Sequence, residues 1–85
     1  MATLILVEST AVDEGYKISD IDFSEITPKD IFSNPDLGLP APEANHQWIM
    51  MKDGSVVDND TTLERLGFKD GDKALIMTKV KGAFL

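Results

Sequence analysis

Cysteine is missing altogether from this 85-residue chain. That removes disulfide staples, thiolate zinc sites and cysteine nucleophiles together. It suits a reducing compartment, and a cytoplasmic location is the expectation. Histidine occurs once, as His46. With no cysteine and no acid–base constellation beside it, His46 has no triad to join. We expect a non-enzyme without catalytic residues, with His46 hydrogen-bonded to a loop at the surface or sheet edge. Long apolar runs are also missing. The longest, Leu4 to Val7, falls far short of the roughly 20 residues a membrane helix needs. No basic segment precedes it, as a signal peptide would require. A soluble protein without membrane insertion is expected.

Positive charge is scarce in the first half. Residues 1–45 hold nine acids and two lysines, and residues 46–85 hold six charges of each sign. An acidic balance disfavours nucleic acid and anionic lipid, which are bound through Lys and Arg. The acids serve either solubility or an acidic docking face. Phosphate-binding glycine loops are absent, because Gly54, Gly67 and Gly71 each close an element. Asp58, Asp60 and Glu64 lack calcium-loop spacing and read as cap and turn residues. Neither a cofactor nor a metal is expected.

What is present is a run of short elements. "TLILVES" (3–9) reads as a first strand, "VDEG" (12–15) as a turn with Gly15 free to take positive φ, and "YKISDIDF" (16–23) as the returning strand. The apolar alternation slips between Ile18 and Ile21, which implies a bulge. Thr27 followed by Pro28 marks a helix start, with Ile31 and Phe32 on the buried side, and Pro35 ends it after about two turns. "QWIMM" (47–51), "KDG" and "SVV" (55–57) form a hairpin. Residues 61–66 read as a short helix or 3₁₀ segment, capped by Asp60 and ended by Gly67. "KALIMTKV" (73–80) is the last strand. The expected organisation is one domain over 1–80 and a flexible C-terminal tail over 81–85.

The stretch "HQWIMMKDGSVVDNDTTLERLGFKDGDKALIMTKVKG" resembles, without a gap, the second half of ubiquitin. "EITPKDIFSNPDLGLPAPE" is loosely similar to ubiquitin's helix and the turn after it. "LGLPAPEANHQWI" and "FKDGDKALI" also resemble the YukD-like ubiquitin-like proteins of Gram-positive type VII secretion clusters. The resemblance implies an α+β ubiquitin-like β-grasp: a mixed four- to five-stranded sheet on one short helix, plus a short 3₁₀ or α segment near 61–66.

The ungapped match places Trp48, Met50, Val57, Leu63, Phe68, Ala74 and Ile76 inward, with the strand period of two. The opposite face then carries Ile49, Met51, Leu75 and Met77, where a one-sided sheet would be polar. Burial of each such side chain is worth roughly 1.5–3 kcal/mol, and a contiguous exposed apolar patch marks an interaction site. In ubiquitin the matching face is the main patch that partners recognise. Two covers remain open: a protein partner, or the molecule itself through its N-terminal loop, its tail or a second copy.

The family implies three function classes: a non-covalent adaptor or accessory component of an assembly such as a secretion system, a conjugated modifier or sulfur carrier, and an accessory subunit of a multicomponent enzyme. Carriers end in Gly-Gly. Here Lys79, Lys81, Gly82 and Ala83 keep the basic residues and one glycine of that pattern, but Phe84 and Leu85 follow. Conjugation would therefore need C-terminal processing, and the adaptor reading comes first.

Overall fold

The computed structural model describes residues 1–8 and 15–81. Five strands form one mixed sheet: β1 (Ala2–Glu8), β2 (Gly15–Ile21), β3 (His46–Lys52), β4 (Ser55–Val56) and β5 (Lys73–Val80). Their spatial order is β2-β1-β5-β3-β4. The central pair, β1 and β5, is parallel, and its neighbours are antiparallel. Helix α1 (Pro28–Ser33), a 3₁₀ turn (Pro35–Leu37) and the 57–68 segment cross the inner face. Ile31, Leu39, Leu63 and Phe68 from these segments join Leu4, Leu6, Ile18, Trp48, Met50, Ala74 and Ile76 in one core. Val57 is partly buried against it.

Local chemistry accounts for the elements. Thr27 Oγ1 accepts from Asp30 N at 3.2 Å, and Asp30 Oδ2 accepts from Thr27 N at 3.0 Å, closing a capping box at Pro28. The box satisfies Thr27 N and Asp30 N locally, while Lys29 N donates to Asn59 O at 3.2 Å. The β3–β4 hairpin turns on Asp53 and Gly54, both at positive φ, as a two-residue type I′ loop requires. The slip in β2 is a register shift against β1: Leu4 faces Ile18, while Ala2 faces Ile21. Asp20 sits within it at φ 59. The extra residue returns Ile21 to the buried side, so Ile18 and Ile21 both enter the core.

Three expectations are corrected. Gly15 does not belong to a turn; it lies in β2, where an added Cβ would stand 3.0 Å from the Leu6 carbonyl oxygen. Residues 61–66 form consecutive turns, with one α-type bond, Leu66 N to Thr62 O, and one 3₁₀-type bond, Gly67 N to Glu64 O, instead of a continuous helix. Leu63 N and Glu64 N donate across to Ile26 O and Phe23 O, each at 2.9 Å, which ties the segment to the connection between β2 and α1. Asp60 is not the cap there. Asp58 receives Asp60 N and Thr61 Oγ1, and Thr62 Oγ1 accepts from Arg65 N.

The connection from β2 to α1 is fixed by Asp22. Its Oδ1 accepts from Ser24 Oγ at 2.6 Å and from Ser24 N at 2.9 Å, and these two bonds lower its pKa. A carboxyl whose folded pKa is depressed stabilises the fold above its unfolded pKa and ceases to do so as pH falls through the folded value. Asp22→Asn is therefore expected to flatten the acid limb of the stability–pH curve below the ordinary Asp pKa. Urea midpoints between neutral and acidic pH measure this; an unchanged limb would remove Asp22 from the account.

Candidate functional site

The ladders place the four residues singled out on β3 and β5 as two facing pairs. Ile49 lies opposite Met77, and Met51 opposite Leu75, on the side of the sheet away from α1. Leu75 is exposed and the other three are half-buried. Strand β1 extends the patch, which the sequence match did not indicate. Val7 pairs with Leu75 and Ile5 with Lys73, so Ile5 and Val7 stand on the same outer side. The signal was present in "TLILVE": Leu4 and Leu6 are buried, and the intervening Ile5 and Val7 are turned the other way. Exposed Val56, opposite Met51, adds a further apolar group at the edge.

The charges on this face are sorted. Its outward strand positions include Lys17, opposite Ile5, then Lys73 and Lys79 along β5. The outward positions of β1, β3, β4 and β5 carry no acid, and the one acid on β2 is exposed Asp20, in the bulge at the sheet edge. At one end the face descends into a depression of about 450 Å³ lined by Met51, Leu75, Lys52 and Lys73 together with Asp53 and Asp72. All described elements that supply core contacts do so from the opposite side. The alternative in which the N-terminal loop or the tail covers the outer face falls on residues 9–14 and 82–85, outside the described residues.

The remaining site residues are placed as follows. Lys79 lies within β5 opposite Gln47. Lys81 N donates to Asn45 O at 2.6 Å, so its backbone is tied to the loop before β3. Gly82 and Ala83 lie outside the described residues. His46 Nδ1 is 3.0 Å from Ala44 O, a geometry that selects the Nδ1–H tautomer as donor. Trp48 is buried, gives its Nε1–H to Pro40 O at 2.9 Å, and meets Tyr16 edge-on at 6.5 Å between centroids. The "LPAPE" loop is thereby pinned to β3, and that loop and "QWI" are the segments that carried the YukD-like resemblance.

No protein-family model and no curated protein sequence matches the chain. Solved structures do. A protein computationally designed on the template of human erythrocytic ubiquitin is 20% identical over 100% of both chains, with a TM-score of 0.66. A chain from a structure reported as "Molecular Mimicry of SUMO promotes DNA repair" is 19% identical over 89% of each chain, with a TM-score of 0.64. The mixed sheet and helix of this chain match the ubiquitin-like β-grasp fold of both neighbours. No helix among the described residues is long and apolar enough to cross a membrane. The protein has the ubiquitin-like β-grasp fold, the fold of ubiquitin- and SUMO-type proteins.

Proposed function

We propose that this protein is a non-catalytic interaction module that binds a partner protein through the outer face of its sheet. It serves there as an adaptor or accessory component of a larger assembly. The observation that carries the reading is the composition of that face: Ile5, Val7, Ile49, Met51, Leu75 and Met77 form a contiguous apolar surface across three strands. On β1, β3 and β5, the strands that carry it, the only outward charges are lysines. An apolar surface of this kind is retained against an aggregation cost when a partner covers it. Methionines adapt their shape to a partner at little cost. The lysine rim selects a partner whose contact segment is acidic at its borders. Placement in a secretion assembly of the type VII kind rests on the YukD-like resemblance of the proline loop and the "W-I" strand.

The test separates folding from capture. Met51→Ser with Met77→Ser removes apolar area from half-exposed positions, at an expected cost of about 1 kcal/mol each. Urea unfolding measures that cost, while quantitative affinity capture from the native cells measures partner retention. Retention should fall by about a hundredfold, the scale of two central interface residues. Unfolding without a selective loss of captured proteins would make these methionines structural and end the proposal. Secretion-machinery components among the proteins lost would support the narrower placement, and their absence would remove it.

A further inference from the structure

A second surface lies on the α1 side of the molecule. Between α1, the 40–46 loop and the end of β5 runs a groove of about 420 Å³. Lys29, His46 and Lys81 stand along it, and Phe32, Pro42 and Trp48 supply its apolar lining. Every ionisable side chain lining it is a base, in a chain whose acids outnumber Lys and Arg by 15 to 8. Among the described residues neither Lys29 nor Lys81 has an ion-pair partner; the one ion pair there is Lys52–Asp53, at 3.1 Å.

Of the acids next in sequence to the lining residues, Asp30 and Asp58 are already hydrogen-bonded, and Glu43, beside Pro42, is exposed. Asp30 is committed to the capping box of α1. Asp58 accepts from Asp60 N and Thr61 Oγ1. Trp48 has given its Nε1–H to Pro40 O, so what it offers the groove is ring. His46 turns Nδ1 to Ala44 O, which leaves Nε2 as its available atom.

We infer that this groove takes an acidic linear peptide segment of a protein partner, with one apolar side chain held between acidic neighbours. The apolar side chain lies against Phe32, Pro42 and Trp48, and the carboxylates pair with the Lys29 and Lys81 ammoniums. Charge complementarity selects the occupant. A chain of net charge −7 repels polyanions at long range. A short segment with a few carboxylates and an apolar anchor instead gains from the local bases and from burial. The groove involves neither Met51 nor Met77, so it stands independently of the outer face. With both surfaces occupied, the domain would bridge two partner segments.

The experiment is an amide and indole chemical-shift titration of the full chain with the blocked peptide acetyl-Asp-Glu-Phe-Glu-Asp-amide. Saturable shifts are expected at the Trp48 indole, His46 and Lys29. The exposed pair K29E/K81E should weaken binding about tenfold or more, and replacing the peptide's acids by Asn and Gln should do the same. The charge-matched variant R65E/K69E, at exposed positions outside the groove, should leave affinity within about twofold. Shifts confined to the outer face, or no saturable shift, would overturn the inference. So would equal shifts with inorganic phosphate or a single-stranded oligonucleotide, which would show a general anion site. Peptide binding only after removal of residues 82–85 would assign the groove to the chain's own end, and would overturn it as well.

Discussion

Ile76→Ala is expected to cost about 3–4 kcal/mol, against about 1 kcal/mol for Ile49→Ala on the neighbouring strand. Ile76 is fully buried on β5, directly opposite fully buried Met50. Deleting its side chain loses transfer energy and leaves a cavity that the surrounding strands cannot close. Ile49 lies on the outer face, half-buried and with room to relax. A domain of this size holds about 4–13 kcal/mol in total. The first change therefore removes a large share of the stability, and the midpoint should fall by about 15 °C or more. Thermal and urea unfolding of both variants give the comparison. Equal costs would mean that both sides of the sheet are interior, and would contradict the outer face as a docking surface.

Gly38→Ala is the second large effect, at about 3 kcal/mol. Gly38 has φ +133, a conformation that side chains avoid, and it closes the 3₁₀ turn by donating its N–H to Pro35 O. An added Cβ would stand 3.0 Å from Ile18 Cδ1 and 3.1 Å from the Lys17 carbonyl oxygen. The first neighbour is a core side chain and the second is backbone of β2, so neither can simply step aside. Gly71→Ala is the control. Gly71 also has positive φ, at +86, but open space surrounds it. It should cost only about 1–2 kcal/mol, the conformational part alone. Equal losses from the two variants would show that backbone strain, not close approach, governs Gly38.

The two hairpins and the last strand were legible in the sequence because their signals are local. Asp53-Gly54 fixes a turn type, and "KALIMT" alternates with a period of two. The 61–66 segment was misread because its backbone donors are used by residues 23 and 26, far away in sequence. Pro35 was read correctly as ending α1, but it also opens the 3₁₀ turn, for which Asn34 Oδ1 accepts from Asp36 N. The candidate face was half visible. A match over the second half of the chain could place Met51 and Met77, but Ile5 and Val7 join them only through the parallel register of β1 with β5. The groove was invisible, since Lys29 and Lys81 meet only in the folded chain.

That parallel register also sets an order of events. Among the described strands β5 alone pairs with both β1 and β3, and it is the last of the five to leave the ribosome. Until residues 73–80 are free, the β1–β2 hairpin and the β3–β4 hairpin are separate pieces with no strand between them. Each exposes leucine, isoleucine or methionine that the finished sheet conceals. Assembly must therefore wait for residues 73–80, and the closing step joins Ile5 to Lys73 across 68 positions of the chain. Such distant pairing is slow compared with hairpin formation. Nascent chains stalled before residue 73 should thus be protease-sensitive and bound by chaperones, whatever the stability of the completed domain.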